Sequence, residues 1–384
     1  MSQRAPASAF YLLYYAAVGA LLPYLNLYYQ QTGMTTHEIG VLAALPTIAV
    51  LFAGPFWASI ADALHLHKHL LPLLTVGTML PAAGLMLVNG YWLMAGLVLI
   101  FASLLAPIVP LADNAVLAML DTESDQYGRL RIWGAVGFGL AAWVSGALIE
   151  SRGMWIAFAG YLILIALTSW IATRLPAPLS IGTASYAAGV RELARNARWL
   201  AFLLSIFMMG TCYSILNNYF ILYLTNLGAG EGLYGLSVAA AGVSELPVFL
   251  LSPLLLRRLK PRGLLLVAMG AFVIRGIAYS LIRDPRWAVG VQLLHGLSFS
   301  AMWAASVTYV GRVAPAGMGA SAQATLGAVM FGLASATGAL LGAWLYDGIG
   351  PALTFRVGAA FAVLGLVLFA LTEMRARQMA YPIA

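Results

Sequence analysis

The chain reads as an all-α membrane protein: twelve transmembrane helices in two six-helix bundles related by a pseudo-two-fold axis. Three observations predict this. Of 384 residues, 62% are hydrophobic and only 9% charged, against roughly 25% charged in an ordinary soluble domain, and the mean hydropathy is +0.89. Apolar runs recur at the length a bilayer demands, roughly 20 residues each. Lysine and arginine crowd one alternate set of the intervening loops, as cytoplasmic loops do. A spanning barrel would show short alternating segments instead, so the runs are helices.

Taken in order, the predicted spans are 9–29, 38–61, 69–88, 91–119, 127–150 and 153–174, then 199–225, 232–256, 263–282, 287–311, 318–346 and 350–372. The opening MSQRAPASAF leads into a run longer than a signal peptide and without a convincing cleavage site, so it reads as a retained first span. Gln30-Gln31-Thr32-Gly33 ends that span, Asn89-Gly90 parts the third from the fourth, and Arg283-Asp284-Pro285-Arg286 parts the ninth from the tenth. Gly338 and Gly342 in span eleven are a small-xxx-small pair, which predicts close helix packing, with a hinge as the alternative.

The longest interruption, 175–198, carries Pro176, Pro178 and an arginine-rich stretch. It divides the chain into an N-terminal bundle (1–174), a cytoplasmic linker (175–198) and a C-terminal bundle (199–384). Arg4, Lys68, Arg129, Arg174, Arg191, Arg195, Arg198, Arg257, Arg258, Lys260, Arg262, Arg312, Arg375 and Arg377 fall on one side, while Arg152, Arg283 and Arg286 fall on the other. Both termini are therefore expected to be cytoplasmic, in a cell inner (plasma) membrane. The net charge of +7 belongs to these loops, not to a basic surface on a polar domain, and no nucleic-acid partner is expected.

Charges inside spans carry the chemistry, because each costs about 2.5–3.5 kcal/mol or more at the bilayer centre. They are Asp113, Arg131, Glu245, Arg275 and His295. By helical rise, Asp113 and Arg131 lie roughly 9 Å and 6 Å from the cytoplasmic ends of spans four and five, so they share a level and could pair. The other three, on spans eight, nine and ten, lie roughly 16, 20 and 24 Å deep. Bland readings stand beside the functional one. Arg131 could snorkel to the interface, Asp113 could cap locally, Glu245 and Arg275 could be a structural ion pair, and His295 could be a neutral interhelical hydrogen-bonding group. The functional reading is that helices bringing a carboxylate to a guanidinium and parting them again can release and load a proton. Asn26, Asn217 and Asn218 add polar groups suited to a cavity or to interhelical contact. The tyrosines of span one, Tyr11 and Tyr15 among them, read as packing or interfacial belt. His65, His67 and His69 beside Lys68 offer no closed ligand set, so no metal is expected. A lone cysteine, Cys212, excludes an internal disulfide. No phosphate loop or hydrolase elbow is present, so the chain is not read as an enzyme.

The segments GALLPYLNLYY, ADALHLHKHLL, SLLAPIVPLADNAV and YGRLRIWGAVGF resemble the major facilitator superfamily over essentially the whole chain. The likeness is greatest to its lactose permease and 3-phenylpropionate permease branch of proton symporters. That resemblance implies the major facilitator fold, with Asp113 and Arg131 as substrate ligands and Phe138 as the aromatic that stacks on substrate. It places Glu245 of VSELP, Arg275 of VIRG and His295 of LLHG at the branch's functional glutamate, arginine and histidine, and Asp62 in a gating turn on the cytoplasmic side. Two departures matter. The branch's acidic proton carrier one turn after the histidine is Ser298 here, and the charged residues of helix seven are replaced by residues such as Tyr213 and Leu216.

The expectation is thus a monomeric, proton-coupled symporter importing a small organic solute. An aromatic carboxylate of the 3-phenylpropionate type is favoured, with a sugar or nucleoside next, and no cofactor is needed beyond the proton gradient and the lipid bilayer. Asp113, Arg131, Phe138, Asn26, Asn217 and Asn218 would bind substrate, and Glu245, Arg275 and His295 would couple the proton. The alternatives are a proton-driven multidrug efflux antiporter, which should tolerate loss of Arg131, and a non-transporting membrane sensor or scaffold, which would want a soluble signalling domain.

Overall fold

A computed structural model describes residues 4–64, 67–120, 127–176, 196–313 and 319–380; some side chains within its helices, that of Asp62 included, lie outside the described part. Most of the expected linker, and His65, also fall outside the described residues. Among the described residues the chain is a succession of helices: α1 (Arg4–Gln31), α2 (Thr36–Leu64), α3 (His69–Leu87), α4 (Tyr91–Leu120), α5 (Tyr127–Arg152), α6 (Trp155–Ala172) and α7 (Ala197–Asn218). A short helix, Phe220–Asn226, continues α7. Then comes the 51-residue run Glu231–Leu281, followed by α10 (Trp287–Gly311), α11 (Ala322–Ile349) and α12 (Pro351–Ala380).

Ten of these helices satisfy both the length and the hydropathy of a membrane span. The 51-residue run is two helices joined at Lys260, whose φ of 59° and ψ of 161° are not helical; they are called α8 (231–259) and α9 (261–281). With that division, and with α2 beside the ten, the described helices follow the order of the twelve runs read from the sequence, but not one for one: ten meet the terms of a span, and Phe220–Asn226 stands as a further short helix.

Helix ends follow local chemistry. Thr35 and Glu38 form a reciprocal cap at the start of α2: the Thr35 amide donates to Glu38 Oε2 (2.8 Å), and the Glu38 amide to Thr35 Oγ1 (3.3 Å). Asn196 opens α7 by accepting from the amides of Arg198 and Trp199 at 3.0 and 3.1 Å. Gly153, between α5 and α6, takes a φ of 91° that a side chain would resist. Outward-facing apolar residues such as Leu87 and Trp92, 84% and 83% exposed, present the surface expected against lipid tails.

Two compact units emerge. The first takes α1–α6 with Ile221–Val243; the second takes α7 through Phe220 and everything from Ser244 onward. Within the first, α1 packs against α5 through glycine. A side chain at Gly137 would collide with the Leu12 carbonyl, and one at Gly19 with the Phe138 backbone. Within the second, α11 packs against α7 in the same way. Gly338 lies against Ser214 and the Thr211 carbonyl, Gly342 lies against the Tyr219 ring, and the Tyr219 hydroxyl donates to the Ala339 carbonyl. The small-xxx-small pair read in span eleven is therefore a packing seam.

Candidate functional site

Ionisable side chains gather in each unit separately. In the first, α4 supplies Asp113, α5 supplies Arg131 and α1 supplies two phenols. Arg131 Nε lies 3.9 Å from Asp113 Oδ1, with both side chains about one-third exposed. That separation is long for a paired fork, and tyrosines complete the contact. The Tyr11 hydroxyl donates to Asp113 Oδ1 at 2.6 Å, and Arg131 Nη2 donates to the Tyr15 hydroxyl. The guanidinium carbon also sits 4.4 Å from the Tyr15 ring centroid and 5.3 Å from that of Tyr11, a double cation–π contact.

Tyr11 and Tyr15 are four residues apart and so share one face of α1. Sequence reasoning assigned them to packing; that spacing, opposite a buried charge, was the signal available. Gly134 makes the arrangement possible, because a Cβ there would meet the Tyr15 ring at 2.7 Å and Arg131 Nη1 at 3.1 Å. Phe138 lies two turns beyond Arg131 on α5, half-buried. Asn26 lies eleven residues past Tyr15 on α1, on the order of 16 Å along the axis, and thus at another level.

In the second unit the acid and the imidazole meet: Glu245 Oε1 lies 3.0 Å from His295 Nε2. Their helices touch just beside the pair. The Gly296 amide donates to Ser244 Oγ at 2.9 Å, and a Cβ at Gly296 would run into the Ser244 carbonyl. Arg275 is not Glu245's partner. It is fully buried, donates from Nη2 to Gln292 Oε1 at 2.8 Å, and lies 3.3 Å from the Tyr279 hydroxyl. No carboxylate among the described residues comes within 4 Å of it, and its Nη1 and the Nδ1 of His295 are buried without a hydrogen-bond partner. An unpaired buried guanidinium is costly, and a vacant N–H beside a histidine–glutamate pair suits a group that changes partners. Gln292 and Tyr279 escaped the sequence reading because a glutamine and a tyrosine in apolar spans look like ordinary interhelical glue.

Asn217 and Asn218 turn back on their own helix: Asn217 Nδ2 donates to the Tyr213 carbonyl at 2.9 Å and Asn218 Nδ2 to the Ser214 carbonyl at 3.0 Å. They support α7 immediately before its break at Tyr219.

The comparisons with known proteins agree with this architecture. The maltose permease of Geobacillus stearothermophilus is 29% identical over 381 residues, spanning 96% of this chain and 94% of that protein. A probable 3-phenylpropionic acid transporter of Escherichia coli (strain K12) is 26% identical over 316 residues, spanning 78% and 80%. The crystal structure of the nucleoside transporter NupG superposes with a TM-score of 0.84 at 16% identity, over 97% of this chain and 99% of that one, a likeness of fold. The profile of the MFS_1 like family matches residues 6–357. The chain therefore belongs to that family, within the major facilitator superfamily, and is a multi-pass membrane transporter of small solutes, not an enzyme.

Proposed function

We propose that the protein is a proton-coupled symporter that imports a small organic solute bearing an anionic or hydroxyl-rich end. The observation that carries this reading is the Glu245–His295 pair at 3.0 Å beside a buried Arg275 with an unpartnered Nη1. Glu245 is the group that takes and gives up the proton, trading between His295 and the Arg275 side of the cluster. Asp113 and Arg131 hold the polar end of the substrate, with Tyr11 and Tyr15 fixing the guanidinium, and Phe138 offers a ring face. Coupling needs only that proton and substrate favour different access states.

An aromatic carboxylate is the favoured substrate, with a sugar or nucleoside next. The relatives named for maltose and 3-phenylpropionic acid support that range. The protein works as a monomer in the cell inner membrane with both termini cytoplasmic, and draws on the proton gradient without a cofactor.

The test is uptake of radiolabelled 3-phenylpropionate, maltose and uridine into proteoliposomes, with and without an imposed proton gradient. Glu245→Gln should abolish gradient-driven accumulation while leaving ligand binding in place. Full accumulation by Glu245→Gln overturns the coupling assignment, and unchanged transport by Arg131→Ala points to drug efflux instead.

A further inference from the structure

Helix α10 carries His295, Phe299 and Trp303 at four-residue spacing, so the three rings follow one another along one face. Within the second unit that face continues onto neighbouring helices. Tyr213 of α7 stacks on Phe299 with centroids 4.7 Å apart and planes 17° from parallel. Phe331 of α11 lies 6.3 Å from Phe299 and 4.9 Å from Trp303, and His295 lies 5.4 Å from Phe299.

Packing rings of the same unit behave differently. Phe202, Phe272 and Tyr279 are 1%, 0% and 0% exposed, whereas Tyr213, Phe299, Trp303 and Phe331 are all only half-buried. The open faces are not simply turned to lipid, because the carboxylate of Glu245, about one-quarter exposed and bonded to His295, sits at one end of the row. Two of the three helices that supply the wall, α10 and α11, also widen into π-helical turns where they do so. Phe299 lies inside the turn Gly296–Ser300 and Phe331 inside Ala328–Leu333. Such turns forfeit regular helix bonding and concentrate at functional sites.

We propose that Tyr213, Phe299, Trp303 and Phe331 form a ring-binding subsite of the second unit, which recognises the flat apolar face of an aryl, nucleobase or pyranose ring. Aromatic side chains stack on such faces with geometric preference. The assignment rests on the transport reading for its ligand, but it makes no use of the proton step.

The experiment is equilibrium binding to the full chain in detergent, without any gradient. The probes are 3-phenylpropionate, uridine and maltose, with pentanoate and glycerol as ringless controls. At least one ring probe should bind more tightly than both ringless probes, and the double variant Phe299→Leu/Phe331→Leu should weaken it about tenfold. Trp92→Leu, on the outer surface of the first unit, should bind as the parent does, and Phe299→Tyr, which keeps the ring, should lose less than the double variant.

Binding by the double variant equal to the parent's, ringless probes bound as well as ring probes, or no ring probe bound at all overturns the subsite. If the double variant does not fold, Trp303→Leu is measured in its place, and a loss smaller than about threefold counts against the subsite. Ring binding that persists while gradient-driven accumulation is absent sinks the proton reading alone. Accumulation that persists while ring discrimination is absent sinks the subsite alone.

Discussion

Arg131 touches two phenol rings and stands at the edge of contact with one carboxylate, so its position depends on the neighbours of α1 more than on Asp113. Gly134 is the hinge-pin of that dependence, since any side chain there displaces the Tyr15 ring and crowds Arg131 Nη1. Overpacking of this kind costs about 1–3 kcal/mol. Gly134→Ala should therefore weaken binding of a carboxylate substrate by about tenfold, as measured by titration. Tyr15→Phe keeps the ring face and loses only the hydroxyl acceptor, so a smaller loss, roughly threefold, is expected from the same measurement. Arg131→Lys should cost more than Tyr15→Phe, because the planar fork and both ring contacts go with it. At this scale the sequence revealed the charges and hid their company. An aspartate and an arginine stand out in apolar runs, whereas tyrosines that orient them look like every other tyrosine in a membrane helix. His295 and Glu245 show the same limit: each was legible alone, but their pairing hangs on Gly296 letting two backbones touch.

Elements are held to one another by a contact that no local pattern announced. Glu373, near the end of α12, is 5% exposed and accepts from Arg198 Nε at 2.8 Å and from the Tyr309 hydroxyl at 2.6 Å, and it also pairs with Arg262. One carboxylate thereby ties α7, α9, α10 and α12 together. It falls just past the apolar run of span twelve, where a glutamate reads as a solvated interfacial charge. Its partners lie 175 and 64 residues away in the chain for Arg198 and Tyr309. Glu373→Gln leaves two guanidinium groups facing a neutral amide. Both arginines are about one-third exposed, which softens the cost below that of a fully buried pair, to about 2–3 kcal/mol. The expected reading is a clear drop in Tm of the detergent-solubilised protein, with ligand affinity unchanged once folded. The two π-helical turns were equally hidden, because hydropathy and charge say nothing about one extra residue in a helical turn.

The topology of the whole molecule was the most legible level. A bilayer accepts only segments of one length and polarity, so twelve runs could be counted without knowing any tertiary contact. The substrate was the least legible, since it depends on which half-buried rings and charges come together, and that is set by helix rotation. Arg275 has a further consequence during biogenesis. Helix α9 must leave the ribosome carrying a guanidinium whose hydrogen-bonding partner Gln292 belongs to α10, the next helix to emerge. Entering the bilayer alone, α9 can offer that guanidinium only its own Tyr279 hydroxyl, and the rest of a penalty of about 2.5–3.5 kcal/mol waits for the following segment. Nascent chains truncated after residue 284 should therefore insert α9 less completely than chains extended through residue 313, when scored by engineered glycosylation sites in microsomes. Arg275→Leu should erase the difference, making α9 and α10 a pair that the insertion machinery handles together.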